Sequence, residues 1–191
     1  MTDEAPHIEP SGREAWRAWL GEHHEQTAGI WLVYRKKRAA APGDLTYDEA
    51  VEEALCFGWI DSKVQRLDER RVRQWFSPRR PGSIWSALNK RRIDKVIAEG
   101  RMTPAGLAKI DAAKADGSWT LLDDAEAGIV PDDLHAALER TPGAAGGYAA
   151  YPPSIQRSVI YWVTSAKRPD TRRRRIERTA EAAARGEPPV G

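Results

Sequence analysis

Between Lys63 and Arg92 the chain carries ten lysines and arginines against only two acids, Asp68 and Glu69, and Trp59, Trp75 and Trp85 lie beside or within the same stretch. That combination suits the capture of an anion next to an apolar surface. The run Arg71 to Phe76 reads as a strand, and alternation then places Arg71, Arg73 and Trp75 on one face and Val72, Gln74 and Phe76 on the other. One face is cationic and aromatic. The loop Ser77-Pro78-Arg79-Arg80-Pro81-Gly82 feeds a helix whose expected N-cap is Ser83, where free amides and the helix dipole favour negative charge. Along that helix Trp85, Asn89 and Arg92 fall on one side. Upstream, Trp59-Ile60-Asp61-Ser62-Lys63 sets an acid beside a hydroxyl and an ammonium. The candidate ligand-binding set is therefore Trp59, Asp61, Arg73, Trp75, Arg79, Arg80, Ser83, Trp85, Asn89 and Arg92, with Asp61, Arg73, Trp75, Arg79, Trp85 and Asn89 expected around one concavity.

No catalytic residue, metal or cofactor is assigned, because no Gly-x-Ser-x-Gly, P-loop or Gly-x-Gly-x-x-Gly pattern stands in the sequence. The leading reading is a binding protein for an anionic small molecule or peptide. An enzyme acting on a phosphorylated or carboxylated small molecule is the alternative, with Asp61 as acid or base and Arg73 or Arg79 stabilising charge. In the bland reading Trp59, Trp75 and Trp85 are core, Asp61 is a local cap or ion pair, and the arginines are solvated. Cys56 precedes a helix end, where carbonyls raise a thiol pKa, so it is a poor nucleophile. His23 and His24 diverge on a helix and His7 and His135 are remote, which leaves no metal-binding pair. Arg172 to Arg175 point most of the way round a helix, with Glu177 and Glu181 spaced to pair with Arg173, Arg174, Arg178 and Arg185. Nucleic acid through the basic stretches is a third reading and not the expected one, since net charge is only +2.

The elements that must position these residues read as α+β. Ser11-Gly12-Arg13-Glu14 has the form of a capping box opening a helix with Trp16, Trp19 and Leu20 on one side. Residues 29–34 form a continuous apolar run, rich in β-branched and aromatic side chains, that predicts a central strand. Thr46-Tyr47-Asp48-Glu49 is a second capping box, opening a helix that ends at Gly58. Ile60 to Leu67 and Arg71 to Phe76 predict a hairpin. The expected fold is thus a small sheet of three or more strands over about residues 29–76, packed with helices and followed by an all-helical C-terminal half. Helices are predicted from Ser83 to Gly100, from Pro104 to about Asp116, over Asp132 to Arg140, from Pro153 through Ala166, and over Arg172 to Arg185, with a flexible joint at Gly143 to Gly147. Residues 11–117 are expected to form the α+β domain and 118–185 a helical part packed on it, with flexible ends at 1–10 and 186–191.

With 191 residues, 41% apolar and 30% charged, the chain can bury a substantial core. The acidic N-terminal stretch lacks the basic and apolar regions of a secretory signal, and no span is apolar enough to cross a bilayer. A single cysteine excludes an internal disulfide. These features predict a cytoplasmic protein without membrane insertion.

Ala54-Leu55-Cys56-Phe57-Gly58-Trp59-Ile60-Asp61-Ser62, Phe76-Ser77-Pro78-Arg79, Ser83 with Trp85-Ser86-x-x-Asn89, and Gly100-x-Met102 together resemble the YdeI/OmpD-associated, bacteriocin-protection family. Trp162-x-x-x-Ala166-Lys167, followed by Pro169-x-Thr171-Arg172 and Arg175-Ile176, resembles a second block of that family. The resemblance spans most of residues 11–185. It implies a role in protection against bacteriocins or antimicrobial peptides, in stress resistance, or in association with an outer-membrane porin, and it implies no agreed chemistry.

Overall fold

A computed structural model describes residues 5–189. Residues 1–4 and 190–191, part of the ends expected to be flexible, lie outside the described residues. The chain divides into two compact units: residues up to Ser83 with Leu88–Asp116, and Ile84–Ala87 with the chain from Gly117 onward.

The first unit holds a mixed four-stranded sheet in the order β1-β2-β4-β3, formed by β1 (His7–Ile8), β2 (Ile30–Arg35), β3 (Trp59–Arg66) and β4 (Arg71–Pro78). The expected α+β class holds. β2 is a continuous apolar run because it lies inside the sheet, and Ile30 through Tyr34 are all buried. β3 and β4 form the expected hairpin. Its turn is tied by Asp68, whose carboxylate accepts from the backbone amides of Arg70 and Arg71 at 2.8 and 2.7 Å and from Arg71 Nε at 2.8 Å. The Arg71 guanidinium and those amides hold the Asp68 carboxyl down to about 2. β1 was not expected: His7–Ile8 falls in a stretch read as a flexible end, yet it pairs in parallel with Trp31 and Leu32.

Helices α1 (Arg13–His23) and α2 (Tyr47–Cys56) cover the sheet face that carries Phe76. Trp16 meets Phe76 edge-on at 5.8 Å, and its indole N–H donates to Ala50 O at 3.0 Å. The Thr46–Glu49 capping box of α2 forms as read. That of α1 does not: Gly12 is the N-cap without a side-chain bond, and Glu14, needed to close the box, is engaged by Arg101 at 2.9 Å. Buried in α2, Glu53 accepts from Arg13 Nε at 2.6 Å, Arg17 Nη1 at 2.7 Å and Arg101 Nε at 2.8 Å. Its neighbour Glu52 takes Lys95 at 2.7 Å. Beside this cluster, burial and the Glu53 charge push the Cys56 thiol up to about 11.

The helix expected at Ser83 begins later, as α3 (Ala87–Ala98), and is followed by α4 (Pro104–Asp116). Ser83 is not its cap; Ile84–Ala87 belong to the second unit, where Trp85 is buried. Burial of that indole outweighs the capping preference of a serine, which is worth only about 1 kcal/mol. The Ala87 amide donates to the Glu126 carboxylate at 2.7 Å, so the start of α3 already faces an anion.

The second unit is built from α5 (Asp123–Ala127), α6 (Asp132–Arg140), α7 (Ala144–Ala149), α8 (Pro153–Thr164) and α9 (Pro169–Ala184). Its core joins Leu134, Leu138, Tyr148, Val159, Val163 and Ile176. The joint expected at Gly143 to Gly147 is instead mostly the helix α7. Gly147 is required there by close packing, because a Cβ would stand 1.9 Å from Ala183 O. Trp162 of α8 is only half-buried, with Arg175 and Arg178 over its ring at 5.2 and 5.8 Å. The α9 arginines find partners other than the expected Glu177 and Glu181: Arg172 grips Asp133, Arg173 pairs with Asp170, and Arg185 with Glu187.

Candidate functional site

Strand register decides which candidate side chains share a surface. Trp31 pairs with Trp75, Val33 with Arg73, and Ile60 with Ser77, so these residues lie on one face of the sheet. Trp75 meets Trp31 edge-on at 5.4 Å. The Arg73 guanidinium lies 4.6 Å from the centre of the Trp31 ring, and it hydrogen-bonds Gln65 at 2.7 Å and His7 Nε2 at 2.8 Å. Arg73 is thereby committed to covering Trp31, which has no exposed surface. Gly29 makes the arrangement possible: its φ is +152°, and a Cβ there would stand 2.3 Å from the Trp75 ring.

Beside this stack opens a concavity of about 720 Å³. Trp75 and Ile60 give it apolar surface over the buried Trp31, and Lys63, Arg79 and Arg80 give it cations. Ser62, Ser77 and Ser83 add hydroxyls. The loop after β4 shapes one side. Arg79 N donates to Gly58 O at 2.9 Å, Ser83 N closes the Pro81-Gly82 turn onto Arg80 O at 3.1 Å, and Gly82 N donates to Asp116 at 3.1 Å. The two arginines of this loop differ. Arg80 is exposed, whereas Arg79 is buried, with only 4% of its surface accessible. Burial pushes the Arg79 guanidinium down to about 10, opposed by the charge of Asp61, and it stays cationic at neutral pH.

Asp61 does not join the tryptophans. It pairs in register with Phe76, on the face that packs against α1 and α2. There its Oδ2 accepts from Gln74 Nε2 at 2.6 Å and from the Tyr47 hydroxyl at 3.1 Å. Tyr34 donates to Gln74 Oε1 in turn. Burial raises the Tyr34 hydroxyl pKa, and the nearby charges of Tyr47 and Asp61 add to it. Arg92 lies over the Tyr47 ring at 5.4 Å, pairs with Asp48, and donates to Asn89 Oδ1 at 3.1 Å. The ten candidates therefore separate. Arg73, Trp75, Arg79, Arg80 and Ser83 belong to the tryptophan face or its concavity, while Asp61, Asn89 and Arg92 form a second network with Tyr34, Tyr47, Asp48 and Gln74. Trp59 is core: its indole donates to His24 O at 3.1 Å and meets Trp19 edge-on at 6.0 Å. Trp85 lies in the second unit, its ring 5.1 Å from Trp119. Asp61 and Arg73 lie on opposite faces of the sheet, so the single concavity expected from the sequence does not assemble.

The candidate set leaves out Trp31, Ile60 and Lys63, although the run from Trp59 to Lys63 is noted for its acid, hydroxyl and ammonium. Nothing local in the apolar run at 29–34 reveals that β4 pairs with β2 and brings Trp75 onto Trp31. Gln74 carried a usable signal: a polar residue between inward-facing Val72 and Phe76 requires a polar partner.

Residues 8–109, more than half of the 191, match the family described as Domain of unknown function (DUF8412). The chain belongs to the DUF8412 family. Residues 127–186 match the family described as Bacteriocin-protection, YdeI or OmpD-Associated. The resemblance read from Trp162 to Ile176 thus falls within a match to that family, whereas the motifs from Ala54 to Met102 lie in the DUF8412 segment. No curated protein and no solved structure matches the chain. Among the described residues no helix is long and apolar enough to cross a membrane.

Proposed function

We propose that this DUF8412-family protein is a binding protein for an anionic ligand that also carries an apolar or aromatic part, held in the concavity beside Trp31 and Trp75. One observation carries this reading: apolar surface from Trp75 and Ile60, backed by the buried Trp31, adjoins three cations, Lys63, Arg79 and Arg80, in one concavity. Such a site gains affinity from ring burial and selectivity from charge. The description of the family matched by residues 127–186 supports placing the activity in bacteriocin protection; protection against antimicrobial peptides, stress resistance and a cytoplasmic location are proposed with it. A cationic peptide would be repelled by the concavity, so the protective role proposed is indirect, through an anionic ligand. Binding is preferred to acid–base catalysis because Asp61, the acid–base candidate, lies on the opposite face of the sheet from Trp75, hydrogen-bonded to Gln74 and Tyr47.

Phenyl phosphate and inorganic phosphate are suitable probes. Phenyl phosphate should raise the melting temperature and perturb tryptophan fluorescence more strongly than inorganic phosphate does. Lys63→Glu with Arg80→Glu should abolish both effects. No response in the wild type, or an equal response in the double variant, would overturn the reading.

A further inference from the structure

Among the described residues β3 is the last strand in the sheet order, and none of them pairs with its outer edge over the exposed run Ser62 to Arg66. An open edge offers alternate amides and carbonyls to an incoming strand. Val64 is 60% exposed and Leu67 43%, so apolar surface accompanies those groups.

The edge and the concavity are continuous. Ile60, Ser62 and Lys63 of β3 all line the concavity. Strict alternation would send Lys63 to the opposite face from Ser62, but the β3–β4 register shifts between Asp61 and Val64. An irregularity of that kind re-aims a side chain, and here it accompanies an ammonium on the same concavity as the hydroxyl of Ser62.

Charge selects what can dock. From Trp59 to Arg80 there are seven lysines and arginines against Asp61, Asp68 and Glu69. Asp68 pairs with Arg71 and Glu69 with Arg66, which cancels two of these cations, and Asp61 lies on the opposite face of the sheet, so the edge keeps a positive excess with Lys63 and Arg80 on the concavity. A cationic edge repels a second copy of itself, which blunts self-association, and attracts an acidic strand.

Resting on the proposed binding role, we propose that the ligand is an acidic peptide segment in extended conformation, added to the sheet as a further strand along β3. Main-chain bonds to Ser62–Arg66 supply affinity. A bulky side chain enters beside Trp75 while carboxylates two residues to either side meet Lys63 and Arg80, because alternate residues of the added strand point to one face.

A blocked peptide of pattern Thr-Glu-Thr-Phe-Thr-Glu-Thr tests this by tryptophan fluorescence on the full chain. It should bind, and the analogue with Lys in place of Glu should not. Two further versions carry N-methyl groups, one on the Glu and Phe residues and the other on the Thr residues between them. Only alternate amides of an added strand face β3, so one version should lose about tenfold or more in affinity and the other should bind as the parent does. Equal binding or equal loss in both overturns strand addition. If phenyl phosphate binds and the peptide does not, the peptide inference fails while the anion-binding role stands; if neither binds, both fail. Tighter binding of a single-stranded oligonucleotide of equal charge would also overturn the peptide assignment.

Discussion

Replacing Glu53 by Gln removes a carboxylate that three arginines share. The side chain has no exposed surface, and its oxygens receive Arg13, Arg17 and both Nε and Nη2 of Arg101 at 2.6–2.8 Å. At about 1.5–3 kcal/mol for each hydrogen bond to a charged group, four such contacts represent a gross interaction of roughly 6–12 kcal/mol. Most of that is not lost, because the guanidiniums are 20–26% exposed and recover water once the carboxylate is gone. Removing one partner of a buried charge cluster costs about 3–5 kcal/mol, and that is the expected destabilisation of Glu53→Gln. Against a typical stability of about 5–15 kcal/mol, this leaves the first unit marginal. Urea denaturation followed by tryptophan fluorescence measures the loss, with Glu14→Gln as a control because that carboxylate is 74% exposed and should cost less than about 1 kcal/mol. A loss below about 1 kcal/mol for Glu53→Gln would refute the view that this cluster clamps α1, α2 and the Arg101 segment together.

The adjacent arginines of the concavity should separate in stability measurements: Arg80→Ala should fall within about 0.5 kcal/mol of wild type, whereas Arg79→Ala, losing a buried stem, should cost about 1–3 kcal/mol. Equal melting temperatures for the two variants would contradict the burial of Arg79. In the second unit, hydrogen bonding to Arg172 holds the Asp133 carboxyl below its ordinary value, with Nε and Nη2 contacts of 2.6 and 2.9 Å. A depressed folded pKa means that the stabilisation is fully present above the unfolded value of about 3.9 and is lost as pH falls through the folded one. The stability gap between wild type and Asp133→Asn, read from thermal melts across acid pH, should therefore shrink below about pH 4 and stay constant above about pH 5; a gap that widens on acidification would reverse the assignment.

Much of the secondary structure is legible in local pattern. The uninterrupted apolar run at 30–34 marks a strand buried on both faces, Thr46 with Glu49 marks a helix start, and Asp68-Glu69-Arg70 marks the turn between two strands, each through forces acting over a few residues. The same local rules fail where a distant partner outbids them. Ser11 and Ser83 both look like caps, but Arg101 draws away Glu14, and the burial of Trp85 takes Ile84–Ala87 into the second unit. Gly143 to Gly147 looks like a joint until close packing of Gly147 on Ala183 explains the missing side chains.

By itself, then, the sequence determined the α+β class, the hairpin, the helical C-terminal half and the cationic, tryptophan-bearing character of the region after Phe57. Only the tertiary structure decided which of those residues meet. Pairing β4 with β2 brings Trp75 to Trp31, and the shift between Asp61 and Val64 accompanies Lys63 on that side, while Asp61 stays on the opposite face. The physical reason is that a strand's period of two fixes only the relative facing of its own residues. Which face meets a concavity, a helix or water depends on strand partners far away in sequence, and a shift of one residue reverses the answer.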